Sequence, residues 1–136
     1  MSKQEFIDEV NNLLAEVKAC ISQKRITFET KSDERKKNLD FLQTYSIDPS
    51  YRYSIINELT KDDLCQVIAE RIKDPKTYGK LFVFKIVKRL NEKATGKDKD
   101  VIIYIKLQLF KIADTQNATL VISFHEAEGK LEYFKW

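Results

Sequence analysis

His125 is the single histidine of this chain, and it stands near the end of an apolar run, Thr119-Leu-Val-Ile-Ser-Phe-His-Glu. Histidine takes up and releases protons near neutral pH, which suits it to general acid–base work. Phosphate-bearing ligands need cations, and Lys85, Lys106 and Lys111 supply them from neighbouring apolar runs. Tyr104, in Val101-Ile-Ile-Tyr-Ile-Lys, can donate a proton or stack on a base. Cleaving RNA without a metal needs a base for the 2′-hydroxyl, an acid for the leaving 5′-oxygen, and charge to stabilise the phosphate oxygens. Histidine, tyrosine and lysine cover those roles. Glu126 and Glu128 follow His125 closely enough to orient its ring or raise its pKa. The same residue types also suit binding without chemistry, so both readings stand at this point.

Other catalytic devices find no support. Ser123 has no G-x-S-x-G elbow around it, and the isolated Gly96 and Gly129 make no phosphate-cradling loop. Cys20 and Cys65, widely spaced and with one histidine, match no zinc framework, so they read as buried thiols and no metal or cofactor is expected.

Strand parity decides which of these residues can meet. In the run from Val101, the residues Val101, Ile103, Ile105, Leu107 and Leu109 alternate as a wholly apolar set, which predicts a core face. Tyr104, Lys106 and Gln108 then point the other way, with Ile102 and Phe110. In the last run, Leu120, Ile122 and Phe124 form the apolar set, leaving Val121, Ser123 and His125 opposite. Paired as a hairpin, the two runs gather Tyr104, Lys106, Gln108, Ser123 and His125 on one half-polar face. Lys85 sits in Lys80-Leu-Phe-Val-Phe-Lys-Ile-Val-Lys, apolar in both registers as befits a central strand.

The elements that carry these runs divide the chain in two. Phe6, Val10, Leu13, Leu14, Val17 and Ile21 recur at helical spacing, with Ser2 and Glu5 at capping-box distance. Arg25-Ile-Thr-Phe-Glu-Thr reads as an edge strand or an extended connector. Ser32 or Asp33 caps a second helix, with Leu39, Leu42 and Tyr45 on one side. Asp48 and Pro49 start a third, with Tyr53, Ile56 and Leu59 sharing a face, and Thr60-Lys-Asp-Asp caps a short fourth helical piece. After the turns at Asp74-Pro75 and Tyr78-Gly79, the β-branched and aromatic runs predict an antiparallel meander, to which Glu132–Trp136 can add a last strand. The expected fold is therefore α+β. N-terminal helices pack on one face of a small antiparallel β-sheet, within one domain over 1–136, helical to about residue 72 and sheet from about residue 80.

The chain of 136 residues carries a net charge of +3, and no apolar stretch is long enough to span a bilayer. Its start, MSKQEFIDEV, lacks a signal-peptide core, so no membrane and a cytoplasmic location are expected. Basic residues between Lys73 and Lys111 far outnumber the acids there, Asp74, Glu92, Asp98 and Asp100, which places the positive field in the second half. That field suits a nucleic-acid backbone, or a solvated face. Arg35, Lys36 and Lys37 read as a solvated helix face.

The segments "NLDFLQTYSID", "IINELTKDDL", "LFVFKIV", "VIIYIKLQL" and "LVISFHEAE" together resemble the MqsR family of toxins from bacterial type II toxin–antitoxin systems. The resemblance implies a RelE-like fold and an mRNA interferase, a metal-independent endoribonuclease acting on mRNA, neutralised by a cognate antitoxin protein. By position, Tyr104 matches the family's catalytic tyrosine. His125 matches a strand position where the best-known members place a basic residue. Lys85 falls near a polar active-site position, and Gln66 near a catalytic lysine position, where this chain is not basic. The segment Gly129–Trp136 is additional to compact members. On this reading His125 and Tyr104 handle protons, Lys85 and Lys106 hold the scissile phosphate, and Gln66, Gln108, Lys111 and Ser123 contact substrate. The alternatives are a non-catalytic RNA- or DNA-binding module, in which Tyr133, Phe134 and Trp136 stack on bases, and a protein-interaction domain.

Overall fold

A computed structural model describes residues 1–30 and 32–136, with Ser32 described by its backbone alone. The elements run α1 (Lys3–Ser22), β1 (Ile26–Phe28), α2 (Ser32–Tyr45), α3 (Pro49–Asn57), a single 3₁₀ turn (Lys61–Asp63), β2 (Leu64–Ile68), β3 (Tyr78–Asn91), β4 (Asp98–Ala113) and β5 (Gln116–Glu126). The fold is α+β, with the helices against a five-stranded sheet of order β1-β5-β4-β3-β2. Strands β3 to β5 pair antiparallel, as the meander predicts, and β2, which the sequence does not announce, joins them antiparallel to β3. The short β1 adds a parallel edge, Ile26 to Phe28 against Thr119 to Val121, so the complete sheet is mixed. No helix among the described residues is long and apolar enough to cross a membrane.

Local chemistry sets the helix starts. The Ser2 hydroxyl accepts the Glu5 N–H at 3.0 Å, and the Asp48 carboxylate accepts the Tyr51 N–H at 2.8 Å, with Pro49 in the first turn where its missing donor costs nothing. Thr60 and Asp63 satisfy each other's backbone in a reciprocal capping box. That box closes only one 3₁₀ turn. The chain then extends at once into β2, where the sequence suggests a further helical piece. An expected cap at Ser32 lies in a side chain outside the described residues.

The core lies between one sheet face and helices α1 and α3. Val10, Leu13, Leu14 and Val17 of α1 and Ile55 and Ile56 of α3 pack with Phe82, Phe84, Ile103, Ile105, Leu107, Val121 and Phe124. The apolar alternation of β4 is thus the core face, as parity predicts. Strand β5 departs from parity. Lys106 pairs with Ser123 but Leu107 with Val121, so Ile122 is an inserted bulge residue. The bulge turns Val121 into the core, where it is fully buried, and leaves Leu120 opposite Gln108 on the other face. The expected set Leu120–Ile122–Phe124 is therefore divided, while Ser123 and His125 keep their predicted side.

Helix α2 lies beside β5, past the end of β1. Its buried residues are Asn38, Phe41 and Tyr45, and Leu39, expected inward, is 42% exposed. The helix rotates this way because the β5 edge carries unpaired backbone groups beyond Val121. Asn38 Nδ2–H donates to the Ile122 carbonyl at 3.2 Å, and Asn38 Oδ1 accepts the Phe124 N–H at 2.9 Å. A polar residue is required on that stripe to satisfy both groups.

Residues 127–136 form no strand. They cross the sheet's second face from β5 toward β2, where the Phe134 N–H donates to the Leu64 carbonyl at 2.8 Å. Trp136 then lodges by Phe6, ring centroids 5.3 Å apart, and its indole N–H donates to the Lys61 carbonyl.

Candidate functional site

The strand registers arrange the second face in rows. One row is Lys85–Tyr104–His125, the next Gln66–Val83–Lys106–Ser123, and the third Ile68–Leu81–Gln108–Leu120. Directly paired residues share a face, so seven of the eight residues singled out in the sequence stand in adjacent rows. Lys111 is the exception. It pairs with Asn117 near the exposed end of the β4–β5 hairpin, away from the rest.

Tyr104 and His125 are stacked, with ring centroids 5.4 Å apart and planes 15° from parallel. The face is less open than parity implies. His125 is 8% exposed and Ser123 1%, because α2 closes over the β5 edge and brings Glu34 above them. Glu34 Oε2 accepts the Ser123 hydroxyl at 2.8 Å and lies 3.7 Å from His125 Nε2. Glu34, one turn before Asn38 on the stripe 34-38-41-45, is the residue sequence reasoning missed. Its only signal is that helical spacing.

The imidazole tautomer follows from its other neighbour. His125 Nδ1 is 2.9 Å from the Glu126 carbonyl oxygen, which can only accept, so Nδ1 carries the hydrogen in the neutral ring. Nε2 then holds the lone pair. Once Nε2 takes a proton, the imidazolium has the Glu34 carboxylate beside it. The phenol of Tyr104 is held above its ordinary value of 10.0, first by burial and then by the negative charge of Glu34. It stays protonated at neutral pH and is a proton donor, not an acceptor.

The lysines differ. Lys85 donates its ammonium to the Leu131 carbonyl of the C-terminal segment and lies 4.2 Å from the Tyr133 ring centroid. Lys106 is half-buried, 5.9 Å from the Tyr104 ring centroid, with no carboxylate partner among the described residues. Gln108 donates to the Gly79 carbonyl at 2.9 Å, and Gln66 is exposed. Ser123 and Gln108 are thus engaged within the fold. Arg35, Lys36 and Lys37 are exposed along α2, with Lys37 Nζ 3.6 Å from Glu128.

Three hollows surround the rows. About 370 Å³ lies beside His125 between Lys37, Phe41, Tyr45 and Glu126. About 520 Å³ lies between Lys85, Ile102 and the C-terminal segment. About 560 Å³ lies over the Gln108 row, under the 69–77 connection. Among the described residues no group of three His, Cys, Asp or Glu side chains is placed to hold a metal ion, and both cysteines are free thiols.

The arrangement offers a proton acceptor, a proton donor and an unneutralised cation on one face, beside a carboxylate that can stabilise the charged imidazole. No family model, no curated protein and no solved structure matches this chain.

Proposed function

We propose that the protein is a metal-independent endoribonuclease, an mRNA interferase toxin of a type II toxin–antitoxin system, acting in the cytoplasm and held in check by a cognate antitoxin. The observation that carries the reading is Lys106. A half-buried ammonium with no carboxylate partner among the described residues calls for an anion, and it stands one row from the stacked Tyr104–His125 pair. The sequence resemblance supplies the biological setting.

In the proposed reaction His125 Nε2 takes the proton of the ribose 2′-hydroxyl. The 2′-oxygen attacks phosphorus and the bond to the 5′-oxygen breaks. Tyr104 gives its proton to that leaving oxygen, and Lys106 stabilises the negative phosphate oxygens. The products are a 2′,3′-cyclic phosphate and a 5′-hydroxyl end. Glu34 stabilises the imidazolium. Lys85 contributes its charge to the face while its ammonium remains on Leu131.

The burial of His125 favours a second reading, a nucleic-acid-binding face on which the histidine is structural. End-labelled RNA incubated with the protein in EDTA separates the two. Shortened RNA ending in cyclic phosphate, lost in both His125→Ala and Lys106→Ala, supports cleavage. RNA that is retarded on a gel but intact defeats it and leaves binding.

A further inference from the structure

From the hollow over the Gln108 row we infer a nucleotide subsite, selective for a base that carries an exocyclic amine. The inference deepens the proposed cleavage site, since the two share Glu34 as a wall.

The hollow measures about 560 Å³, within the range of small-ligand sites. Leu81, Leu120 and Ile122 make an apolar floor, and Tyr78 adds an aromatic side. The bulge builds that floor, because it brings Leu120 onto this face opposite Gln108. Such a surface suits the flat face of a base.

The walls carry charges of both signs. Glu29 and Glu34 line the hollow, and carboxylates only accept hydrogen bonds, so the base edge toward them must donate. Adenine, cytosine and guanine present an amine there. Uracil and hypoxanthine present a ring N–H flanked by carbonyl oxygen, which a carboxylate repels. Arg71 and Lys73 line the same hollow and are exposed, with no carboxylate partner among the described residues. They face a phosphate or the acceptor edge of the base.

The connection that carries these two cations is held in a costly conformation. Arg71 and Asp74 both have left-handed backbone, φ 59° and 48°, and neither is glycine. The Thr77 and Tyr78 N–H groups both donate to the Asp74 carbonyl at 2.9 Å, and the Lys111 N–H donates to Thr77 at 2.8 Å. The backbone thus pins a tight turn beside the hollow. A base seated over Leu120 has Lys106, on the next row, within reach of an adjoining phosphate.

The test is calorimetric titration of the whole protein with AMP, CMP, GMP, UMP and IMP. Saturable binding is expected for the first three, about ten-fold tighter than for UMP and IMP. The double variant Arg71→Gln/Lys73→Gln should weaken all binding about ten-fold, and Glu29→Gln should narrow the preference. Absence of saturable binding, or equal binding of UMP, overturns the inference, as does an unchanged double variant. Nucleotide binding by a protein that leaves RNA intact would defeat the cleavage reading and keep this one. RNA cleavage without mononucleotide binding would do the reverse.

Discussion

Asn38 accepts the Phe124 N–H at 2.9 Å while its own amide donates to the Ile122 carbonyl at 3.2 Å, so one side chain takes the place of a neighbouring strand. It is this pairing that fixes α2, and with it Glu34, over His125. Asn38→Ala leaves two backbone groups without partners in a buried setting, each worth about 1–3 kcal/mol. A loss of roughly 2–6 kcal/mol is expected, read as a lower urea midpoint at unchanged slope.

Tyr104→Phe keeps the ring that stacks on His125 and removes only the hydroxyl. RNA cleavage should fall by about 10²–10⁴-fold, the usual contribution of a proton donor. The unfolding midpoint should stay close to wild type. A large fall in stability with cleavage intact would place Tyr104 in the scaffold alone.

Alkaline stability should depend on three raised phenols, those of Tyr104, Tyr45 and Tyr133, the last raised first by burial. Burial raises Tyr104 first, with Glu34 adding to it; burial also raises Tyr45, followed by its hydrogen bond to Glu126. Between the ordinary tyrosine value of 10.0 and the raised folded values, the folded state holds more protons than the unfolded one. Their contribution is therefore complete below pH 10 and is lost as pH rises through the folded values. Melting curves from neutral to strongly alkaline pH should show that decline, and it should shrink in Tyr45→Phe, which also lacks the 2.9 Å bond to Glu126.

The C-terminal segment both packs and restrains. Trp136→Ala removes the contacts to Phe6 and Phe134 and should cost about 1–3 kcal/mol. It should also loosen Leu131 from Lys85. Lys85 is then expected to react faster with a lysine-acylating reagent, followed by peptide mass spectrometry, while exposed Lys36 reacts as before.

Much of the fold is legible in residue patterns. The helix starts at Ser2 and Asp48 follow from short polar side chains next to free backbone N–H groups, and the core face of β4 follows from strict alternation. The long β-branched runs announce β3, β4 and β5. What escapes has a physical cause in each case. The Ile122 bulge shifts parity in mid-strand, and no residue type marks it. Strand β2 begins inside a segment whose capping box signals a helix. The inward face of α2 is set by backbone groups on another element, so hydrophobic periodicity picks Leu39 over Asn38. For the site, parity brings Tyr104, Lys106, Gln108, Ser123 and His125 to one face, but it leaves Lys85 undecided between two apolar registers, does not reach Gln66, and is blind to Glu34, which arrives from a helix, and to Leu131, which engages Lys85.

Strand β1 has one partner, and it is the last strand: Ile26 lies against Thr119. In the order of synthesis, β1 therefore has no strand to pair with until β5 has been made. The same holds for α2, whose Asn38 and Glu34 find their partners only at Ile122 to His125. Loop closure over so long a separation slows folding. It also means that Tyr104, His125 and Glu34 come together only once β5 is in place, so a chain that stops short of β5 lacks the stacked pair and the carboxylate beside it.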